Sequence, residues 1–284
     1  MTNAVSDLVD QDLLAQREFA ITGNRGHHCL CFVFPAMALL PVLLFLAAAL
    51  NSSFSANRDS DSAATLSTNL SKVQAEIVNK HNELRRSVNP TASNMLKMKW
   101  NNQTAVNAQK WANQCKLQHS NSEDRKTNLS CGENLFMSTA PSSWSDAIQA
   151  WYDEQNDFVY GKGPISRNAV IGHYTQVAWY ASHNVGCGYA YCPNANFEHY
   201  YVCQYCPPGN FQNRQNFPYN KGKPCGDCPA YCDNGLCTNS CEYQNKYSNC
   251  DQLKEQVSCT HPLVKDNCKA SCLCTDKIYE QTYQ

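Results

Sequence analysis

Residues 185–206 read VGCGYAYCPNANFEHYYVCQYC, and this stretch decides the fold class. Apolar and polar residues alternate over 185–191 and again over 199–203, which is typical of β-strands. The residues before this stretch show helical spacing. We expect a first helix of about 15 residues, with Ser71 and Gln74 as a capping box. A second helix should cover about 103–117, and a third should follow Pro141. Helices first and strands later, without the spacing of βαβ units, predict an α+β fold.

The cysteines are distributed unevenly along the 284 residues. Ten of the 18 lie within 225–274, and none lies within 32–114. This local density indicates a small scaffold held by disulfides in an oxidising compartment. The Cys-x₂-Cys and Cys-x₃-Cys spacings at 203–206, 225–228 and 228–232 also occur in zinc and redox sites, but a secreted chain favours disulfides. The sequence therefore predicts a conventional domain followed by a small disulfide-bonded one.

The charge balance excludes one class of partner. There are 23 Lys and Arg residues against 24 Asp and Glu, so no basic excess exists to bind nucleic acid. Hydrophobic residues make up 43% of the chain, which excludes a disordered protein.

The N-terminal region contains an apolar stretch over residues 29–50, and two interpretations compete. In the first, 1–36 is an N-terminal extension and 37–56 is a cleaved signal peptide that begins at Met37. In the second, a signal anchor from residue 29 stays in the membrane. We favour cleavage, because it removes Cys29 and Cys31 and leaves an even 16 cysteines for pairing.

Either interpretation places the chain from about residue 57 outside the cell. The protein is then expected to be secreted, with at most peripheral membrane association unless the signal is uncleaved. Sequons at Asn69, Asn102 and Asn128 fit this location as N-glycosylation sites, whereas Asn51 lies close to the cleavage point.

Ionisable residues lie on helix faces that otherwise read as apolar. Glu154 shares a face with Trp151, and His119 follows Cys115 by one helical turn. Such groups need partners, and the candidates are each other, Glu133 and His173. Two histidines and two carboxylates in one pocket suit a divalent metal such as zinc or acid–base chemistry, and a purely structural hydrogen-bond cluster is the other interpretation. Because no nucleophile motif accompanies them, we expect a protein that is not an enzyme.

Two strings carry a family resemblance. GHYTQVAWYAS at 172–182 and YYVCQYCPPGNF at 200–211 resemble the two signatures of the CAP superfamily. The ten C-terminal cysteines make the chain similar to the cysteine-rich secretory proteins, and most of all to the mammalian reproductive-tract members. The resemblance covers about residues 37–284.

The resemblance implies an α-β-α sandwich CAP domain at 72–210, a hinge at 211–240 and a small helical, sea-anemone-toxin-like (ShKT-like) ion-channel-regulatory domain at 241–274. It implies a pocket tetrad of His119, Glu133, Glu154 and His173, in which the two histidines hold zinc. It also implies eight disulfides: Cys115–Cys192, Cys131–Cys206, Cys187–Cys203, Cys225–Cys232, Cys228–Cys237, Cys241–Cys274, Cys250–Cys268 and Cys259–Cys272.

The function that the resemblance implies is that of a secreted, non-enzymatic binding protein of reproductive-tract or glandular secretions. It would associate with the sperm or egg surface and modulate cation channels, with cell-surface or channel proteins as partners. The alternatives are a CAP module that binds sterols or zinc or serves innate defence, and a metal- or His/Glu-assisted hydrolase. Candidate channel contacts are Tyr243, Lys246, Tyr247, Lys254 and Lys265. Segment 241–274 holds four lysines and four acids, which favours modulation of gating over plugging of a pore.

Overall fold

The structure, a computed structural model, describes residues 64–280. The helices are α1 (Ser71–Arg86), α2 (Asn102–Ala112), α3 (Trp144–Asp153), α4 (Gly172–Val177), α5 (Cys250–Val257), α6 (Pro262–Asn267) and α7 (Lys269–Leu273). The strands are β1 (Lys99–Trp100), β2 (Gly132–Ser138), β3 (Phe158–Val159), β4 (Gly163–Pro164), β5 (Asn184–Tyr191), β6 (His199–Cys206), β7 (Cys232–Asp233) and β8 (Leu236–Cys237). Two 3₁₀ turns cover Glu154–Asp157 and Pro229–Tyr231.

The expectations for the N-terminal extension, the signal or anchor, Cys29, Cys31 and Asn51 fall outside the described residues. Within 64–280, no helix combines the length and the apolar character that crossing a membrane requires.

A four-stranded sheet in the order β1-β5-β6-β2 forms the centre of the larger domain. β1 runs parallel to β5, and the other neighbours are antiparallel. Helix α2 packs on one face of this sheet, and α1, α3 and α4 form the core on the other. The predicted α+β class and the α-β-α sandwich are therefore confirmed.

The close approach of α2 explains why β5 and β6 are buried on both faces. Gly186 and Gly188, which stand at the alternate positions of β5, lie directly beneath this helix. A Cβ atom on Gly188 would lie 2.3 Å from the backbone Cα of Gln109. The alternation in the sequence thus separates a face of small residues under a helix from a face of larger ones, and neither face meets water.

Arg85 of α1 fixes the segment that precedes β5. This fully buried guanidinium donates hydrogen bonds to the carbonyl oxygens of Leu96, Val177, Trp179, Tyr180 and Ser182 at 2.6–3.2 Å. Burial lowers the pKa of Arg85 to about 9, which still leaves the side chain charged at neutral pH. One cation thereby satisfies carbonyl groups that would otherwise be buried without a donor.

Three local expectations are wrong, and one helix is missing from the prediction. The N-cap of α1 is Leu70 and makes no side-chain cap, because the Gln74 amide donates to the Thr68 carbonyl instead. Helix α2 ends at Ala112, and left-handed backbone at Cys115 (φ 50°) takes the chain away from the helix axis, so that His119 lies in a loop. In addition, β2 comes between α2 and α3, and α4 was not expected.

The C-terminal part is built on its disulfides. Each of the eight cysteine pairs named above is bridged. The β7–β8 hairpin packs on the larger domain, where the Cys237 N–H donates to the Met95 carbonyl and the Lys97 N–H to that of Cys237. Helices α5 to α7 then form the tail, residues 241–274, around Cys250, Val264 and Cys268. Because this part of the chain is short, it buries little apolar surface. The disulfides therefore supply much of its stability.

Candidate functional site

The first candidate pair, His119 and Glu133, lies at the edge of the central sheet. Glu133 is on the edge strand β2, opposite Gln204 of β6, and its side chain is fully buried. The Nδ1 atom of His119 lies 2.9 Å from Glu133 Oε1, and the imidazole is 37% exposed. The loop that follows α2 therefore brings a partly exposed histidine onto a buried carboxylate.

Further donors surround the Glu133 carboxylate. Ser120 donates through its backbone N–H (2.9 Å) and its hydroxyl (2.7 Å), the Gln204 amide donates at 2.9 Å, and Arg125 lies 3.4 Å away. Burial by itself raises the pKa of Glu133, but the hydrogen bond and charge of His119, together with Arg125 and Gln204, outweigh it and hold the pKa below its ordinary value. Glu133 is thus an anion built into the fold.

The second pair, His173 and Glu154, forms where α3 meets α4. Glu154 begins the 3₁₀ turn after α3, and its Oε1 lies 2.7 Å from His173 Nδ1. Its other oxygen accepts the backbone N–H groups of His173 and Tyr174 in the first turn of α4, at 2.9 and 3.1 Å. A carboxylate at a helix N-terminus satisfies free N–H groups, so Glu154 fixes both the helix and its histidine.

Strand β2 lies between the two His–Glu pairs and contacts both of them. Glu133 faces the α2 side, while the next residue, Asn134, donates its side-chain amide to the His173 carbonyl at 3.1 Å. The structure therefore brings the tetrad to one sheet edge as two His–Glu pairs. Because each imidazole uses Nδ1 on its carboxylate, Nε2 is left to accept a proton or to bind a metal, and carboxylate-oriented imidazoles are common zinc ligands.

The tetrad alone is not a compact metal cage. In the described part of the chain, the one group of three or more candidate ligands whose atoms lie within 4.8 Å of one another is Cys225, Cys228 and Cys237. Each of these sulfurs belongs to a disulfide, whereas a metal needs the thiolate. A zinc ion at the tetrad would have two histidine ligands and would need water to complete its coordination.

Comparison with known proteins identifies the family. The CAP model, described as the cysteine-rich secretory protein family, matches residues 78–205, and the Crisp model matches 225–279. Human cysteine-rich secretory protein 3 is 62% identical over 245 residues, which cover 86% of this chain and all of that protein. The chain belongs to the cysteine-rich secretory protein family. Members of this family are generally non-enzymatic binding proteins.

Two further relatives extend the family match. Cysteine-rich venom protein helothermine of Heloderma horridum horridum is 52% identical, and the match covers 85% of this chain and all of that protein. The crystal structure of Na-ASP-1 is 31% identical with a TM-score of 0.50, and the match covers 58% of this chain and 47% of that one.

The five candidate contact residues of the tail differ in accessibility. Tyr243, Lys246 and Lys265 are exposed, whereas Tyr247 packs against the tail core and Lys254 donates to the Ser271 carbonyl at 2.7 Å. The structure therefore leaves three of the five candidates available to a partner.

The three sequon asparagines of the described part, Asn69, Asn102 and Asn128, are exposed, and their glycosylation stays a prediction.

Residue-by-residue reasoning on the sequence did not identify the groups that hold Glu133. Ser120 follows His119 directly, and Gln204 lies inside the second signature string, so the sequence offered a reason to consider both residues. No pattern in the sequence identified Arg125 as a partner of Glu133, because nothing in a polar, charged loop indicates which cation folds back onto a strand.

Proposed function

We propose that this member of the family is secreted into reproductive-tract or glandular fluid, associates with the gamete surface and modulates cation channels through its tail. The proposal rests on the family membership, the Crisp match at 225–279 and the existence of a venom relative. The single observation that carries it is the charge on the outer surface of the tail.

Two of the four acids of the tail have polar partners within the molecule. Glu242 lies 3.0 Å from Lys99 of the CAP domain, and its Oε1 lies 3.6 Å from His183. Asp251 accepts hydrogen bonds from the Ser271 hydroxyl at 2.5 Å and from the Tyr279 hydroxyl at 3.0 Å. Asp251 is thereby bound within the tail, and the charge of the exposed Glu242 is offset by Lys99.

The lysines of the tail are used differently. Lys246, Lys265 and Lys269 are exposed and make no ion pair within 64–280. The backbone N–H of Lys246 donates to the carbonyl of Asn267 at 2.7 Å. Asn267 lies at the α6–α7 junction, two residues from Lys265 and two from Lys269, so all three lysines surround this junction. The exposed acids are Glu242, Glu255 and Asp266, and Glu242 is paired with Lys99. The unpaired exposed charges of the tail are thus three lysines against two acids, which suits the acidic extracellular surface of a cation channel.

Recordings of cation currents test this proposal. The full mature protein is applied to sperm and to cells that express single candidate channels, beside the charge-reversed variant Lys246→Glu/Lys265→Glu. A second variant, Lys110→Glu/Lys162→Glu, reverses exposed lysines of the CAP domain and serves as the matched control. We expect the wild type and the control to change the current and the tail variant to lose at least tenfold in potency. An unchanged current at saturating dose would refute channel modulation.

A second proposed function is zinc binding at the tetrad. The specific observation is that both imidazoles are oriented through Nδ1 by carboxylates, which leaves both Nε2 atoms for a ligand. Calorimetric titration with zinc should show binding that is lost in His119→Ala/His173→Ala and kept in His261→Ala, a variant of an exposed tail histidine. Equal affinity in all three proteins would reject these ligands. Sterol binding, innate defence and hydrolase activity remain predictions.

A further inference from the structure

Three sulfurs from two different disulfides lie together in the hinge. The Sγ atoms of Cys225, Cys228 and Cys237 are within 4.8 Å of one another, although the bridges are Cys225–Cys232 and Cys228–Cys237. The fourth hinge cysteine, Cys232, is exposed, whereas the other three are buried. The hinge therefore combines one exposed disulfide-bonded cysteine with a buried group of three sulfurs at close range.

The backbone of the hinge also fits a second pairing of the same four cysteines. The Cys228 N–H donates to the Cys225 carbonyl at 3.1 Å, a turn contact that brings their Cα atoms within about 7 Å. Cys232 and Cys237 are direct partners in the β7–β8 hairpin, where Cα atoms of opposed residues are about 4.5–5.5 Å apart. Disulfides form at Cα separations of about 4.4–6.8 Å, so both alternative bridges are within reach.

We propose that the hinge is a thiol-exchange site, in which an external thiolate converts the Cys225–Cys232 and Cys228–Cys237 bridges into Cys225–Cys228 and Cys232–Cys237. The chemical class of the reactant is a small-molecule thiol or a protein thiol. The order of the steps follows from which sulfurs are accessible and which are adjacent.

In the first step, the external thiolate attacks the Sγ of the exposed residue Cys232, forms a mixed disulfide with it and releases Cys225 as a thiolate. The Cys225 thiolate then attacks Cys228, which forms the new Cys225–Cys228 bond and releases the Cys237 thiolate. Finally, Cys237 attacks Cys232, closes the second new bridge and releases the external thiolate. Two bonds break and two form, no electrons are gained or lost, and the thiol acts as a catalyst.

The exchange changes what the bridges connect. In the present pairing, both bridges join the segment 225–228 to the hairpin 232–237. In the alternative pairing, each bridge closes within its own half of the hinge, and residues 229–231 become the single covalent link between the halves. Each half keeps its own anchor on the CAP domain, since Asp227 bonds Ser93 and Cys237 bonds Met95. Exchange thus removes a cross-link without releasing the hinge from the domain.

Disulfide mapping of the full mature protein tests the proposal. The protein is incubated with a mixture of reduced and oxidised glutathione, alkylated with N-ethylmaleimide and cleaved by chymotrypsin after Tyr219, Tyr231 and Leu236. The present pairing keeps peptides 220–231, 232–236 and the peptide from Cys237 joined together, whereas the alternative pairing releases 220–231 with an internal bridge. We expect the released peptide to appear only with glutathione, while the CAP and tail bridges stay intact. Its absence, or scrambling of all bridges together, would overturn the proposal.

A variant tests the exchange without added thiol. Cys232→Ser leaves Cys225 as a free thiol beside the Cys228–Cys237 bridge, and we expect alkylation to locate the thiol on Cys225, Cys228 and Cys237. The matched variant Cys259→Ser frees Cys272, which belongs to no such group of sulfurs in residues 64–280, so its thiol should stay in place. A thiol confined to Cys225, or equal migration in both variants, contradicts the proposal. Since either variant can fail to fold, the glutathione experiment on the wild type decides in that case.

Discussion

His183 Nε2 lies 3.6 Å from Glu242 Oε1, across the contact between the CAP domain and the tail. His183 is buried, and its Nδ1 donates to the Ala181 carbonyl at 3.1 Å. A lone pair on Nε2 would face an anion, so the contact is favourable when the imidazole carries both protons. Lys99, at 3.0 Å from Glu242, supplies a second cation. The tail therefore packs against the CAP domain through a carboxylate that lies between the His183 imidazole and the Lys99 ammonium.

The first prediction concerns this carboxylate. The close approach of His183 and the nearby Lys99 lower the pKa of Glu242 to about 2, against its ordinary 4.5. Because the pKa is depressed in the folded protein, the stabilisation is complete above about pH 4.5 and is lost as the pH falls towards 2. We expect Glu242→Gln to remove this part of the pH dependence in urea unfolding between pH 2 and 6. The exposed Glu255→Gln in the same tail serves as control, and a pH profile unchanged by Glu242→Gln would contradict the assignment.

The second prediction concerns a carboxylate with the opposite shift. Trp179 donates its indole N–H to Glu280 Oε2 at 2.6 Å, and burial raises the pKa of Glu280 to about 7. A raised pKa means that the contribution to stability is complete below about pH 4.5 and is lost as the pH rises through 7. Tryptophan fluorescence of the wild type should therefore show a transition near pH 7 that Glu280→Gln lacks. The same transition in both proteins would show that another group titrates.

The third prediction concerns the close packing of α2 on β5. A methyl group on Gly188 would meet the backbone of Gln109 at 2.3 Å, and backbone atoms cannot move aside as a flexible side chain can. We expect Gly188→Ala to lower the free energy of unfolding by about 3 kcal/mol. Val106→Ala, on the exposed side of the same helix, should change it by less than about 0.5 kcal/mol. Urea denaturation measures both, and similar effects would argue against the close approach.

The fourth prediction concerns Glu133. In Glu133→Gln, an uncharged amide replaces an anion among His119, Arg125, Ser120 and Gln204, so we expect a loss of about 3 kcal/mol in unfolding free energy at pH 7. Because the pKa of Glu133 is held below its ordinary value, the difference from wild type should shrink as the pH falls below about 4.5. Glu123→Gln, an exposed partner of Lys126, should have almost no effect. A pH-independent difference would point to packing and not to charge.

The local patterns predicted the main elements of the fold because short-range spacing carries that information. The apolar spacing from Val73 to Leu84 indicated α1, and the alternation within 185–191 and 199–203 indicated β5 and β6. The same patterns missed β2 and α4, whose residues are buried through contacts with distant parts of the chain. The patterns also predicted that α2 continues beyond Ala112, because no spacing of residues indicates the left-handed turn at Cys115.

The sequence by itself determined the fold class, the need of Glu154 for partners, and the presence of a disulfide-bonded tail. These follow from periodicity, from the cost of burying an ionisable group and from cysteine density, which are properties of neighbouring residues. Only the tertiary structure decided that the tetrad forms two pairs on either side of β2, that Glu242 and Asp251 have partners within the molecule, and that three hinge sulfurs from two bridges lie together. These relationships join residues that are distant along the chain, and chain folding in three dimensions sets their distances.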